Sequence, residues 1–434
     1  MIASSIGKKF LLAYNQKHHS TYSAKEFFNT IYFPLFFDHD KYAQWVTNSP
    51  FVQGIKKGVA PTANERKDKL ATLAQKIGNG KADASIAIGY PSLDITATTS
   101  GQITNMQLPL DETDTYASWI GSGLGVGIQG GMSILFDNAE ILLHIFEGWE
   151  YYRAALNQNP KLRGNQINTW NGQWLAHRYD PYTYVPDDPT PPPGIYDVTK
   201  EGIMEVRTIS WVRILIGIAT QYALPQLMGY VYNLGQMNTT IGFIPFALPN
   251  IRYPSELYKK LINEAEFIAH HNKIESLLGS AYGFIQSCRM GVIGIKALEP
   301  KGLREYMPGG KDTSLPNYKK ADQDKIISFN TYQIWLLAML KNETLWDTSL
   351  QAAQLFKKYE DGAKKVTTGR SRSSETVLGS TNKKVFIENL IPILKEVEDK
   401  DSFEALAKAV HLMPADNFSY FITLIRFQYA KINH

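Results

Sequence analysis

The sequence has almost no thiol chemistry available to it, because Cys288 is the only cysteine among 434 residues. One thiol excludes an internal disulfide framework, and it excludes every zinc site that needs two or more thiolates. No histidine motif accompanies Cys288, so we expect a buried structural thiol rather than a nucleophile. This cysteine usage favours a reducing compartment, and we predict a cytoplasmic protein.

Excess charge of one sign is also scarce. The 45 lysines and arginines nearly balance 41 acidic residues, which leaves a formal net charge of +4. Such a charge permits contact with phosphate but is far from that of a histone-like protein. Any nucleic-acid-binding surface must therefore be local.

Long uniform apolar runs are missing as well. Residues 214–251 carry no charge and are long enough to cross a bilayer, but amide side chains, Pro225 and Gly229 interrupt them. We therefore predict a buried helix and strand here, with no membrane contact. No apolar run of signal-peptide length follows Lys8 and Lys9, because polar residues begin at Asn15, so secretion is not expected.

Motifs of common enzyme classes are absent. The sequence has no G-x-S-x-G elbow and no G-K-[ST] phosphate loop. Gly125, Gly127 and Gly130 formally match G-x-G-x-x-G, but the residues that follow, Met132–Phe136, are typical of a strand instead of the helix that a dinucleotide site requires. We interpret this glycine-rich segment as a strand that another backbone approaches closely.

Metal-ligating residue types come together at Asp38, His39 and Asp40. In a strand Asp38 and Asp40 would share a face, which leaves a weak metal site open beside the simpler interpretation as a turn. Glu266 and His270 lie one helical turn apart without an H-E-x-x-H motif, which favours a solvated helix face. We predict no cofactor, no metal and no catalytic residue, and hence a protein that is not an enzyme.

Length and patterning predict an α+β protein with two domains. The mixed domain would cover residues 1–315, with glycine-rich strands. A change of composition near Pro308 to Pro316 marks the boundary, and helical periodicity from residue 316 to 434 predicts a helical bundle. The elements that we expect are a helix at 64–77, strands at 85–88 and 132–136, an extended proline-rich loop at 181–196 and a final apolar helix at 415–432.

The densest positive charge lies in residues 357–384, which we interpret as a basic, serine-rich loop of the bundle. Glu360, Asp361 and Glu375 are its only acidic residues. Point charges beside short hydroxyl donors suit a phosphate backbone, although a flexible solvated linker would have the same composition. The residues that we expect to contact phosphates are Lys364, Lys365, Arg370, Arg372, Lys383 and Lys384.

A polar cluster occupies residues 161–174. Amide side chains can make paired hydrogen bonds with a base edge, and a tryptophan can stack on a base. We predict that Asn165, Gln166, Asn168 and Asn171 read a short duplex motif, with Trp170 or Trp174 as a stacking residue. The alternative is a turn region with core tryptophans.

Three segments together carry a family resemblance. Gly123–Gln129 leading into the strand Met132–Phe136, a Gly/Asn/Trp middle region and a helical C-terminus closing on Phe418–Ala430 resemble the large subunits of type I CRISPR Cascade effector complexes, in particular the short forms. The resemblance is one of layout over most of the chain. It implies a non-catalytic antiviral subunit whose N-terminal domain recognises the protospacer-adjacent motif and whose helical bundle holds target DNA beside guide RNA.

The resemblance implies guide RNA, target DNA and other Cascade subunits as partners. The chain departs from longer members because it lacks a cysteine-rich zinc insertion, so no metal-stabilised subdomain is expected. Two other classes stay open. One is a metal-dependent nucleic-acid enzyme that uses Asp38, His39 and Asp40, and the other is a structural subunit that binds only proteins.

Overall fold

The structure is a computed structural model that describes residues 1–47, 49–55, 59–79, 85–90, 111–233, 240–279, 299–309, 313–362 and 368–433. The chain forms two compact units, Met1–Leu248 and Pro249–His434. The boundary that composition suggested near residue 315 therefore lies inside the second unit. There, the guanidinium of Arg426 binds the carbonyls of Tyr306 and Ser314 at 2.9 and 3.0 Å, so this segment is tied to the bundle on both sides.

The first unit combines helices with small antiparallel sheets, which confirms a mixed α+β fold. A π-helical turn at Phe28–Tyr32 joins its second and third helices. The helices are α1 (Ile2–His18), α2 (Ala24–Phe27), α3 (Phe33–Phe36), α4 (Ala63–Gly78), α5 (Glu112–Gly123), α6 (Ala139–Gln158), α7 (Ile167–Arg178) and α8 (Trp211–Gln221).

The strands form two antiparallel sheets. Four of them pair in the order β1-β2-β5-β6, and β3 pairs with β4 as a separate hairpin. The strands are β1 (Val126–Ile128), β2 (Met132–Phe136), β3 (Tyr196–Val198), β4 (Met204–Val206), β5 (Leu227–Asn233) and β6 (Thr240–Phe246). The register places Ile134 opposite Val231, and both side chains are buried.

Close helix packing in this unit depends on glycine. A Cβ atom on Gly7 of α1 would lie 2.0 Å from the Ala117 carbonyl oxygen, and one on Gly121 of α5 would lie 1.8 Å from that of Ala3. Only hydrogen side chains let α1 and α5 approach to this distance. The predicted helix α4 is confirmed, and Thr62 and Glu65 begin it with a reciprocal capping box.

Residues 85–88 form turns instead of the predicted strand. The Trp119 indole N–H donates to the Ile86 carbonyl at 2.7 Å, and the Ile88 N–H donates to the Ser118 hydroxyl at 2.9 Å. Side chains of α5 therefore form hydrogen bonds with backbone groups that, in a strand, would pair with a neighbouring strand. The predicted strand at 132–136 is confirmed as β2.

Helices dominate the rest of the chain, as predicted for the C-terminal region. Its last helix is buried from Phe418 to Tyr429, which confirms a central packing helix. The helices are α9 (Leu248–Leu261), α10 (Glu264–Leu278), α11 (Gln323–Leu340), α12 (Thr344–Asp361), α13 (Thr368–Leu378), α14 (Lys383–Leu394), α15 (Lys400–Leu412) and α16 (Phe418–Ile432).

The uncharged segment 214–251 divides into several elements. It contains most of α8, then β5 and β6, and ends within α9. Ile214 to Ala219 of α8 are buried, as expected of a core helix. In the part of the chain that the structure describes, no helix combines the length and the apolarity that crossing a membrane requires.

Candidate nucleic-acid interface

The basic segment 357–384 is largely helical in its described residues, where the sequence predicted a loop. Lys357 and Lys358 lie near the C-terminal end of α12, and Arg370 and Arg372 lie in α13. Lys383 and Lys384 begin α14. The reason is packing, because each short helix buries apolar side chains at helical spacing. These are Val377 and Leu378 in α13, and Phe386, Leu390 and Ile393 in α14. Lys364 and Lys365 lie outside the described residues.

Two of the predicted phosphate contacts are used by the fold itself. The guanidinium of Arg370 lies 4.7 Å above the Tyr359 ring, donates to the Tyr359 carbonyl at 2.9 Å and pairs with Glu396 at 3.4 Å. Lys383 donates from Nζ to the carbonyls of His411 and Met413, at 3.0 and 2.5 Å. The positive charge of Lys383 thereby neutralises the partial negative charge at the C-terminus of α15. Both cations are therefore anchors within the second unit.

The other two described cations of the predicted set face solvent. Arg372 is exposed on α13 and makes no ion pair within the described part of the chain. The side chain of Lys384 is 84% exposed, and its amine lies 3.7 Å from Glu388 on the same helix. Such a surface pair adds little stability, so Lys384 can exchange this partner for a phosphate at small cost.

The first turns of α13 and α14 contain no acidic residue, and they begin around Arg370 and around Lys383 and Lys384. A helix N-terminus carries positive partial charge, so a bound anion is stabilised there. Arg370 and Lys383 already have partners within the second unit, which leaves Lys384 as the solvent-facing cation of these two turns.

The opposite electrostatic character is found in a cavity of about 370 Å³ in the second unit. Its lining includes Glu360, Ser371, Glu375 and Tyr429. The Tyr429 hydroxyl donates to Glu360 at 2.5 Å, and burial together with this carboxylate raises the pKa of Tyr429. Two carboxylates repel phosphate, so an anion would bind α13 away from Ser371 and Glu375.

Two of the four predicted motif-reading amides, Asn168 and Asn171, are buried in the first unit, and the other two bind backbone groups nearer its surface. Asn171 donates to the carbonyls of Gly123 and Gly125, both at 2.8 Å. Asn168 is buried against Gly125. Asn165 accepts a hydrogen bond from the Trp45 N–H at 2.5 Å, and Gln166 accepts one from the Val206 N–H at 3.0 Å. Asn165, Gln166 and Asn171 link chain segments through these hydrogen bonds and Asn168 is buried, so the structure gives no support to the prediction that these four side chains read bases.

The tryptophans of this cluster are core residues, as the structural alternative proposed. Trp170 and Trp174 are each 1% exposed. Their indole N–H groups donate to the carbonyls of Gly148 and His144, at 2.7 and 2.6 Å. Neither ring face can stack on a base. The tryptophan that is exposed beside this cluster is Trp45, whose backbone N–H binds Asn165.

The glycine-rich segment is approached closely by another backbone, as predicted. A Cβ atom on Gly127 of β1 would lie 2.9 Å from backbone atoms of α7, and one on Gly172 of α7 would lie 2.3 Å from the Gly127 carbonyl oxygen. Glycine at both positions brings helix and strand into direct contact. The segment therefore positions α7, and it is followed by strand β2 where a dinucleotide site requires a helix.

An arginine occupies the place where a metal was considered. Arg66 of α4 contacts Asp38 through Nε and Asp40 through Nη1, both at 3.0 Å, and also donates to the Pro61 carbonyl at 2.7 Å. His39 accepts from the Lys41 N–H at 2.8 Å, and its pKa is lowered by burial and by Arg153. Within the described ranges, no group of three or more His, Cys, Asp or Glu side chains is arranged to hold a metal ion.

Glu266 is also structural, whereas the sequence favoured a solvated helix face. Its carboxylate accepts from the Tyr258 hydroxyl at 2.6 Å and from the Asn330 amide at 2.9 Å. His270 lies at a kink with φ −125° inside α10. Cys288 lies outside the described residues. The geometry therefore places the solvent-facing positive charge of the predicted site on α13 and α14.

Comparison with protein-family models, with curated proteins and with solved structures finds no match for this chain.

Proposed function

We propose that this chain is a non-catalytic nucleic-acid-binding subunit of an RNA-guided CRISPR interference complex, of the large-subunit kind. Its partners are guide RNA, target DNA and the smaller subunits of the complex. The resemblance in layout motivates the assignment. The single structural observation that carries it is the solvent-facing positive charge of Arg372 on α13 and Lys384 on α14, two helices whose first turns contain no acidic residue.

This charge arrangement is suited to contact with a phosphate backbone and does not select a particular base sequence. Two helix ends offer partial positive charge, and Arg372 and Lys384 offer full charges that remain exposed. Lys364 and Lys365 precede α13 in the sequence and add two more charges to the segment. In an RNA-guided complex, base pairing reads the sequence and the protein grips the backbone. Recognition of a short duplex motif is part of the proposal, without assigned residues.

A second function, a structural subunit that contacts only proteins, is favoured by one observation on the first unit. Ile241 and Phe243 of strand β6 are 58% and 63% exposed, in a stretch without charge. Exposed apolar side chains of this size are typical of contacts with other proteins. No observation favours the metal-dependent enzyme in the same way, since Asp38 and Asp40, the carboxylates considered for it, pair with Arg66.

The test is purification of the tagged chain from its own cells, followed by identification of the molecules that accompany it. We expect a short guide RNA and several copies of a smaller subunit, and we expect the complex to bind matched duplex DNA less tightly as salt rises. Purification with proteins alone, and no salt-sensitive DNA affinity, would establish the structural role instead. Cleavage of DNA by the isolated chain with added magnesium or manganese would contradict both.

A further inference from the structure

The exposed indole of Trp45 is exceptional in this protein. It is 46% exposed, whereas Trp119, Trp149, Trp170, Trp174 and Trp335 are at most 1% exposed. No other tryptophan of the described residues is exposed to this degree. The Trp45 ring lies 6.5 Å from the Tyr42 ring, so part of it is packed and the rest faces solvent. The exposed part is an apolar surface that a ligand could cover.

The backbone that leads into Trp45 is held by several hydrogen bonds. The Trp45 N–H donates to the Asn165 side chain at 2.5 Å, and the Asn165 N–H donates to the Tyr42 carbonyl at 2.7 Å. Gln44 is buried, accepts from the Tyr32 hydroxyl and donates to the Ser122 hydroxyl, both at 2.8 Å. The indole thus projects from a rigid support and loses little conformational entropy when a ligand covers it.

The residues next to this support are basic. Arg163 lies two positions before Asn165 with its side chain 62% exposed, and Lys161 is exposed. Arg163 pairs with Glu205 of β4 at the surface, a kind of pair that solvent screens strongly. The hydrogen bond from the Trp45 N–H to Asn165 brings this basic segment to the part of the surface that carries the indole. An aromatic face together with exchangeable cations is the combination that binds single-stranded nucleic acid, since the ring stacks on a base and the cations meet the phosphate.

A second exposed aromatic site lacks this combination. Phe243 lies with Tyr230 at a ring distance of 5.1 Å on the edge of the four-stranded sheet. Residues 214–251 contain no charged side chain, so nothing in that stretch would hold a phosphate. The basic residues close to Asn165, which binds the Trp45 backbone, and the uncharged sequence that carries Phe243 separate a nucleic-acid site from a plain apolar surface.

We propose that Trp45, with Lys161 and Arg163, forms a stacking site for an unpaired nucleotide of single-stranded DNA or RNA. This inference rests on the proposed function, and it specifies the form of nucleic acid that the first unit binds. The base lies on the indole face and the adjoining phosphate meets Arg163 or Lys161. A duplex does not use the site, because its bases are already stacked on one another.

The test is the affinity of the full chain for a labelled oligothymidylate and for a duplex of equal length, by fluorescence anisotropy. Trp45→Ala should weaken single-strand binding by roughly 5- to 150-fold, the range for removal of one base–aromatic stack. Trp45→Phe should keep most of the affinity, and duplex affinity should stay unchanged in both variants. Phe243→Ala is the matched control, an exposed aromatic side chain without charge beside it, and should bind like the wild type.

The outcomes separate this inference from the proposed function. A wild-type chain that binds neither single strand nor duplex would contradict the proposed function and this site together. Wild-type binding that Trp45→Ala leaves intact would overturn the stacking site alone, as would loss of a protein partner without loss of single-strand affinity. Ultraviolet cross-linking of 4-thiothymidine oligonucleotides to the unaltered chain checks the site without a variant. We expect the cross-link at residue 45, and its absence there would overturn the inference.

Discussion

The side-chain oxygen Oδ1 of Asn165 accepts the backbone N–H of Trp45 at 2.5 Å, and this bond joins two segments 120 residues apart in sequence. Asn165 makes it from a left-handed conformation with φ 58°. Asparagine tolerates that region better than other residues with a Cβ atom, so one side chain supplies both the turn and the hydrogen bond.

Asn165→Ala should therefore lower the free energy of unfolding by about 2 to 4 kcal/mol, because the variant removes a hydrogen bond and places alanine at positive φ. Asn165→Gly should cost less, since glycine adopts this φ freely and only the hydrogen bond is removed. Urea unfolding of both variants measures the difference. Equal decreases in the two variants would show that the left-handed conformation is unimportant.

The glycine contact between α1 and α5 gives the second prediction. Gly121→Ala should destabilise the protein by at least about 2 kcal/mol, because the new methyl group would lie 1.8 Å from a backbone oxygen that cannot rotate away. Gly78→Ala at the end of α4 is the control, with no atom within 4 Å of the added methyl group. Gly78→Ala should be neutral or slightly stabilising. Similar melting temperatures for the two variants would contradict this packing.

The third prediction concerns pH. Burial lowers the pKa of His144, whose Nδ1 lies 2.9 Å from the Tyr179 hydroxyl; Arg178 and Lys17 add to this effect, and Glu147 and Glu140 oppose it. A folded-state pKa below the unfolded value of 6.5 means that the unfolded chain binds more protons just below pH 6.5. Stability should therefore fall as pH decreases below 6.5.

Urea unfolding between pH 5 and 7 measures this slope, and His144→Gln provides the comparison because glutamine does not titrate. The variant should show a smaller loss of stability across the range. His39 and His177 also have lowered pKa values through burial, so part of the slope should remain. An identical slope in wild type and variant would mean that His144 contributes nothing.

Local signals in the sequence were enough to predict several elements. Helix α4 begins at the Thr62 capping box and follows a helical period, and α16 is apolar on nearly every face. Both properties are encoded within a few turns of chain. The turns at 85–88 were missed because Ser118 and Trp119, some 30 residues away, bind their backbone groups.

The candidate site was harder to predict for the same reason. Asn171 and Asn168 have the composition of a base-reading cluster, and only the approach of Gly123–Gly127 buries them. Lys383 is a residue type that commonly contacts phosphates, but its amine donates to carbonyls at the C-terminal end of α15. Composition identifies which side chains could bind a nucleic acid. Long-range packing determines which of them are buried, and therefore which remain available for binding.

The last prediction follows from that distinction and concerns Arg372 and Lys384. Replacing both with glutamine should flatten the dependence of log affinity on log salt by about 0.9 for each phosphate that the protein no longer neutralises on duplex DNA, or about 1.8 in total. Affinity should fall by a similar factor on every duplex sequence, because phosphates carry no sequence information directly. Folding should hardly change, since both side chains are exposed.

Lys400→Gln with Lys408→Gln is the matched control for this pair. Both lysines are exposed on α15 of the same unit, and their replacement removes the same charge. A general electrostatic effect would flatten the salt dependence equally in both double variants, and that result would contradict a site on α13 and α14. A flattening confined to the Arg372 and Lys384 variant would place the phosphate backbone against these two helices, because there exposed charge coincides with helix ends that lack acidic residues.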